Sequence, residues 1–119
     1  MRILKVLKTM FASAPKRSAK DCHLMVKQGK ALLIDVREPR EWEAGVAELA
    51  LLLPLSDLNG SRTHWNAALE KARGKELFLH CAAGARSGMA TKILNAEGFL
   101  AFNTGGYKDW VTSGWPTKK

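Results

Sequence analysis

Short, almost wholly apolar runs alternate along this chain with segments in which apolar residues recur at helical spacing. The runs ALLIDV at 31–36, ALLLPL at 50–55 and ELFLHC at 76–81 have the composition of strands that are buried on both faces. FLAFN at 99–103 is a further strand candidate, followed by a predicted turn at the glycine pair 105–106. Strands that alternate with helices predict an α/β fold, with a parallel sheet covered by helices on both faces.

Helices are predicted between these runs from apolar spacing and from the residues that begin or end a helix. The first begins at Ser18, a good N-cap residue, and ends at Gly29. Each of the other predicted helices also ends at a glycine, and they lie at 39–45, 61–74, 87–98 and 107–114. Ligands of such sheets bind at the carboxyl ends of the strands, so candidate chemistry is sought there.

The composition is that of one globular domain. The chain has 119 residues, of which 46% are hydrophobic and 25% are charged, so collagen-like, disordered and disulfide-dense classes are excluded. Its two cysteines, Cys22 and Cys81, are far apart in an uncrowded sequence, which indicates neither a disulfide framework nor a zinc site. We therefore expect no metal, no cofactor and a reducing, cytoplasmic location.

The positive charge is concentrated at the N-terminus. Residues 1–30 carry eight Lys and Arg against one Asp, whereas residues 31–119 carry eleven against ten acidic residues. Residues 1–14 are predicted to form a basic amphipathic arm, which either packs on the domain at 15–119 or docks on a membrane surface or a partner. The protein is periplasmic instead if this arm acts as an export signal. A basic stripe interleaved with aromatic residues is missing, so no nucleic-acid partner is expected.

Candidate chemistry lies at the end of the 76–81 run, at Cys81. Small residues in the next segment let backbone N–H groups turn inward as an anion cradle, and the helix predicted to begin at Ser87 adds partial positive charge. The cradle would favour the thiolate form of Cys81, which is the reactive one. A buried structural cysteine would not require this loop. The cradle is predicted to comprise Ala82, Ala83, Gly84, Ala85 and Arg86.

Three motifs in order carry a family resemblance. LIDVREPREWEAG at 33–45, HCAAGARSG at 80–88 and GGYKDWVTSGWP at 105–116 together resemble a single-domain rhodanese, a sulfurtransferase, from about residue 18 to residue 116. The resemblance implies a four- to five-stranded parallel sheet between helices. It also implies that Cys81 is the nucleophile and becomes a persulfide.

The resemblance assigns expected roles to the residues around Cys81. The thiolate would take sulfur from a small anionic donor such as thiosulfate and pass it to a thiol, to cyanide or to an acceptor protein. Arg86 would position the donor, or alternatively form a salt bridge with a carboxylate. Asp35 and Arg37, at the end of a neighbouring strand, resemble the family's supporting pair, and with Ser87 we expect them to hold the site rather than react.

Several alternatives remain open. A non-enzymatic sulfur carrier or docking module would have the same residues around Cys81 as an enzyme. Cysteine-dependent phosphatases place five residues between cysteine and arginine, whereas four lie between Cys81 and Arg86, so phosphatase activity is the weaker alternative. Cys22 could resolve the persulfide as a disulfide, although it is predicted to be a half-buried helix residue. The segment 45–55 departs from the family pattern, and the strand expected at 14–17 is weak, so it is an edge strand or absent.

Overall fold

The computed structural model describes residues 14–119, so the predicted N-terminal arm lies outside the described residues except for Ala14. A four-stranded parallel sheet in the order β3-β1-β4-β5 forms the centre, and β2 pairs antiparallel with β6 in a separate two-stranded sheet. The strands are β1 (Ala31–Asp35), β2 (Val46–Ala47), β3 (Ala50–Leu52), β4 (Glu76–Cys81), β5 (Ala101–Gly106) and β6 (Thr117–Lys118).

The described residues form six helices, and all but the second, which has no buried residue, pack on the two faces of the large sheet. They are α1 (Ala19–Lys27), α2 (Pro39–Trp42), α3 (Leu55–Leu58), α4 (Thr63–Lys71), α5 (Ala85–Ala96) and α6 (Tyr107–Thr112). Side chains of β4 alternate between the two faces, because successive residues of a strand point to opposite sides. Leu79 and Cys81 pack with α3, α4 and α5, whereas Phe78 packs with α1 and α6. The α/β prediction with helices on both faces is confirmed.

The position of β1 and β4 brings the candidate residues to one edge of the sheet. Ala31 pairs with Glu76 and the register runs on to Asp35 opposite His80. Asp35 and Cys81 therefore end neighbouring parallel strands at the same edge. Both strands are almost completely buried, which is why the sequence shows them as apolar runs rather than as alternating patterns.

The helix after Cys81 begins two residues earlier than the sequence predicts. Gly84, with φ 105°, is the N-cap, and its carbonyl accepts the Gly88 N–H at 3.0 Å. A left-handed N-cap conformation is accessible to glycine at little cost, so the helix starts there and not at Ser87. Ala85 and Arg86 consequently lie in the first turn of α5 and not in a loop.

The predicted bounds of the last parallel strand, 99–103, are wrong. The Phe99 N–H donates to the Leu94 carbonyl at 3.0 Å, so Phe99 belongs to the turn that follows α5 and not to the strand. The glycine pair expected to be a turn is the end of β5, with Gly106 opposite Cys81 after a register shift. A Cβ atom at Gly106 would collide with the carbonyl oxygen of Ala82, so this close approach requires glycine.

The parallel sheet has four strands, the lower of the two predicted numbers. Where the weak first strand was expected, Lys16 forms a single parallel bridge with Asn103. The Asn103 N–H donates to the Pro15 carbonyl, and the Arg17 N–H donates to the Asn103 carbonyl. Pro15 has no N–H to continue the ladder. Within residues 14–119 no helix is long and apolar enough to span a bilayer.

Candidate active site

Cys81 lies where the carboxyl end of β4 meets the N-terminus of α5. Its residue is 1% exposed, and its Sγ atom accepts the Gly84 N–H at 2.9 Å. The Ser87 hydroxyl oxygen lies 3.4 Å from Sγ. The sulfur is therefore surrounded by hydrogen-bond donors at a helix N-terminus, where partial positive charge also favours an anion.

The surroundings of the sulfur have opposing effects on its acidity. Burial on its own raises the pKa of the Cys81 thiol. Hydrogen bonds from the Ser87 side chain and from the backbone N–H groups of Ser87, Gly84 and Ala83 outweigh burial, so the pKa lies below its ordinary value. The geometry thus favours the nucleophilic thiolate.

The cradle differs in detail from the predicted segment 82–86. The backbone N–H groups that act on Sγ belong to Ala83, Gly84 and Ser87. Ala82 instead turns its carbonyl toward Gly106. Ala85 and Arg86 place their N–H groups in the first turn of α5, where helical N–H groups have no intrahelical partner.

Asn103 supports the cradle from β5, and the sequence analysis missed it. Its Nδ2 donates to the Gly84 carbonyl at 2.9 Å, and its Oδ1 accepts the Ser87 hydroxyl at 2.7 Å and the Gly105 N–H at 3.1 Å. Because a hydroxyl has one hydrogen, the Cys81 sulfur shares the Ser87 donor with Asn103 and with the carbonyls of Gly84 and Gly105, which lie 3.2 and 3.3 Å away. The feature of the sequence that could have indicated this role is the polar residue at the end of the apolar run FLAFN.

Arg86 forms a two-pronged salt bridge with a carboxylate, one of the two roles considered for it. Its Nη1 and Nη2 atoms lie 2.6 and 2.8 Å from the two carboxylate oxygens of Glu41. The hydrogen bond from Arg86 is the main reason that the pKa of Glu41 falls to about 2, and Glu41 in turn raises the pKa of Arg86. Glu41 was not among the predicted site residues, because the two partners lie 45 positions apart.

Asp35 and Arg37 form a buried ion pair beside the site. The Arg37 guanidinium donates to both Asp35 carboxylate oxygens at 2.8–3.1 Å and to the Gly45 carbonyl at 2.9 Å. Asp35 is fully buried and Arg37 is 5% exposed. The Arg37 guanidinium also stacks over the Tyr107 ring at 4.4 Å. These contacts tie β1 to the segment before β2. That the pair holds the site without reacting stays a prediction.

Cys22 lies on the other face of the sheet. It is fully buried, rather than half-buried as predicted, in the cluster that contains Phe78 and Trp110, whereas Cys81 belongs to the opposite cluster. Burial raises the pKa of Cys22 to about 12. At neutral pH Cys22 is therefore a thiol, and a disulfide with Cys81 would require the packing of one face to open.

The groove of about 500 Å³ next to the cradle does not contain the sulfur. It is lined by residues at the start of α1, the end of β5 and α6, including Lys16, Lys20 and Asp109, and it touches the cradle only at Ala83 and Gly84. In residues 14–119 no group of three or more His, Cys, Asp or Glu side chains could hold a metal ion.

Replacing Ser87 with alanine is expected to raise the pKa of Cys81, because one donor to the thiolate is lost. Hydrogen bonds to a charged group contribute about 1.5–3 kcal/mol, so alkylation of Cys81 at pH 7 should slow about tenfold. The rates of the two proteins should converge at alkaline pH, where both sulfurs are thiolates. Iodoacetamide labelling across pH measures this. The control is Ser113→Ala, which removes an exposed hydroxyl that donates to the Asp109 carbonyl. An unchanged pH profile of labelling in Ser87→Ala would show that Ser87 does not stabilise the thiolate.

Comparison with known proteins places this geometry in a family context. The family model for the rhodanese-like domain matches residues 18–113. The chain is 37% identical over 95 residues to the uncharacterized protein slr1261 of Synechocystis, covering 78% of this chain and 50% of that protein. It is 27% identical over 110 residues to human thiosulfate:glutathione sulfurtransferase, covering 84% of this chain and 96% of the human one. A rhodanese-related protein from Thermoplasma volcanium superposes with TM-score 0.72 at 28% identity, over 87% of this chain and 97% of the other.

Proposed function

Because the chain belongs to the rhodanese-like domain family, we propose that it is a sulfurtransferase that carries sulfane sulfur as a persulfide on Cys81. The observation that carries this proposal is the Cys81 sulfur itself. It accepts the Gly84 N–H at 2.9 Å at the N-terminus of a helix, and its pKa is lowered. The name of the human relative, at 27% identity, supports thiosulfate as a donor and a thiol as an acceptor.

The first half-reaction transfers the sulfane sulfur to the enzyme. The Cys81 thiolate attacks the outer sulfur of thiosulfate and forms a new sulfur–sulfur bond. The bond between the two thiosulfate sulfurs breaks, and its electron pair leaves with sulfite. One thiolate and one thiosulfate dianion thus give one anionic persulfide and one sulfite dianion, with charge conserved. Cradle N–H groups that stabilise the thiolate also stabilise the persulfide anion.

The second half-reaction returns the enzyme to its thiolate. A nucleophilic acceptor attacks the outer sulfur of the persulfide, and the electron pair of the sulfur–sulfur bond returns to the Cys81 sulfur. With cyanide the product is thiocyanate, and with a thiolate it is a new persulfide. The two half-reactions predict ping-pong kinetics, because sulfite departs before the acceptor reacts.

Turnover with excess thiosulfate and excess cyanide tests the proposal against its alternatives. We expect many thiocyanate molecules per enzyme, and double-reciprocal plots that stay parallel as the cyanide concentration changes. Release of one equivalent followed by arrest would instead indicate a sulfur carrier. Hydrolysis of an aryl phosphate without sulfur transfer would indicate a phosphatase.

A further inference from the structure

Arg86, the cation beside the reactive sulfur, already forms a salt bridge with a carboxylate. The two nitrogens at the end of the Arg86 guanidinium contact the two oxygens of Glu41 at 2.6 and 2.8 Å. Arg86 is also close to Cys81, and the charge of the Cys81 sulfur adds to the effect of Glu41 in raising the pKa of Arg86. The side chains of Arg86 and Glu41 are 35% and 32% exposed, so a small anion from solvent can reach this pair.

Contacts other than Arg86 hold Glu41 in place. Its Oε1 atom accepts the Glu38 N–H at 3.1 Å, which closes the capping box at the start of α2. Its carbonyl accepts Arg37 Nη1 at 3.4 Å, and Arg37 is anchored by the buried Asp35. The contacts with Glu38 and Arg37 therefore hold the carboxylate next to Arg86. The carboxylate stays ionised at neutral pH, because the hydrogen bond from Arg86 lowers its pKa to about 2.

A guanidinium can bind a bidentate anion in its plane through either of two donor pairs, the two Nη atoms end-on or Nε with one Nη side-on. In Arg86 the end-on pair is the one that binds Glu41. A doubly charged donor that binds Arg86 in this way must displace the Glu41 carboxylate or lie against it. We propose that Glu41 is a specificity-determining residue, which disfavours doubly charged sulfur donors such as thiosulfate relative to singly charged donors. This inference rests on the sulfurtransferase function proposed above and ranks its donors: thiosulfate is used, but less efficiently than sulfane compounds that carry one negative charge.

Glu41→Gln tests the inference while leaving the helix cap in place, because the glutamine amide oxygen can still accept the Glu38 N–H. The measured quantity is kcat/KM with thiosulfate and with methanethiosulfonate, a singly charged donor that releases methanesulfinate when its sulfane sulfur is transferred. We expect kcat/KM to rise about three- to tenfold with thiosulfate, in keeping with the modest strength of a part-exposed ion pair, and less than twofold with methanethiosulfonate. Equal gains with both donors, or a loss with thiosulfate, would overturn the inference.

Glu43→Gln is the matched control. It removes the same charge two residues away, from a side chain that is exposed and has no salt-bridge partner within the described part of the chain. With both sulfur donors, kcat/KM of Glu43→Gln should differ less than twofold from that of the parent protein. A gain with thiosulfate equal to that of Glu41→Gln would show that net charge, rather than the contact with Arg86, sets the preference.

A binding measurement separates this inference from the sulfur-transfer reaction. Sulfate is a dianion without sulfane sulfur, and by occupying Arg86 it should slow alkylation of Cys81. We expect half-maximal protection at about three- to tenfold lower sulfate concentration in Glu41→Gln than in the parent protein. Unchanged protection would contradict the role of Glu41 even if sulfur transfer is confirmed. Stronger protection without any sulfur transfer would support only the effect of Glu41 on dianion binding at Arg86 and would reject the proposed function.

Discussion

The variant Cys81→Ser is expected to lose thiosulfate–cyanide turnover by at least about a thousandfold, because the nucleophile of a covalent mechanism is removed. A serine hydroxyl at this position is not ionised at neutral pH, and its oxygen cannot form the sulfur–sulfur bond of a persulfide. The substitution replaces one small side chain by another inside the same cradle, so the fold should persist. Thiocyanate production, together with the melting temperature, measures both effects.

Cys22→Ala is the control for this prediction. Cys22 is buried on the opposite face of the sheet and its pKa is raised to about 12, so it should contribute nothing to turnover while the protein remains folded. Substantial thiocyanate production by Cys81→Ser would show that Cys81 is not the nucleophile. Loss of turnover in a folded Cys22→Ala protein would show that Cys22 also takes part in the reaction.

The variant Asp35→Ala is expected to be the most destabilising of the substitutions considered, with a loss of about 3–5 kcal/mol in the free energy of unfolding. Removing the carboxylate would leave the Arg37 guanidinium uncompensated in a site where Arg37 is 5% exposed. Three guanidinium-to-carboxylate contacts at 2.8–3.1 Å would be lost with it. Urea unfolding measured by the fluorescence of the buried tryptophans gives the free energy.

The matched control removes an ion pair of similar geometry from the surface. Arg62 binds both carboxylate oxygens of Glu97 at 2.8 Å, but the two side chains are 29% and 36% exposed. Glu97→Ala should therefore cost only about 0.2–1 kcal/mol. If Asp35→Ala does not fold, the unfolding free energy of Asp35→Asn is compared instead, because asparagine has the shape of aspartate without its charge. A cost for either Asp35 variant no larger than that of Glu97→Ala would contradict the structural role given to the buried pair.

The elements that the sequence predicts best are those whose burial is nearly complete. β1 and β4 are apolar along their length because helices cover both faces, and this burial is visible in a single sequence. The helix α1 is similarly recognisable, since the Ser18 side chain accepts the Asp21 N–H as an N-cap should. The bounds of β5 were missed because they depend on the close approach of Gly106 to Ala82, a contact between distant segments.

The same distinction applies to the site. Cys81 and the small residues after it are contiguous in sequence, so their anion-binding geometry follows from the strand, loop and helix order. Glu41 and Asn103 reach the site from α2 and β5, at 45 positions from Arg86 and 16 positions from Ser87. Only the parallel pairing of the strands brings such residues together. Ser87 and Arg86 follow Cys81 in the sequence and were predicted, whereas Glu41 and Asn103 come from distant segments and were missed.

Intact-mass spectrometry tests most directly whether Cys81 accepts a sulfane sulfur. The protein is incubated with thiosulfate beside Cys81→Ser and then treated with cyanide. We predict that only the parent protein gains the mass of one sulfur atom and that cyanide removes it as thiocyanate. If the parent protein gains no sulfur with either thiosulfate or methanethiosulfonate, although iodoacetamide still labels Cys81, the persulfide mechanism is contradicted.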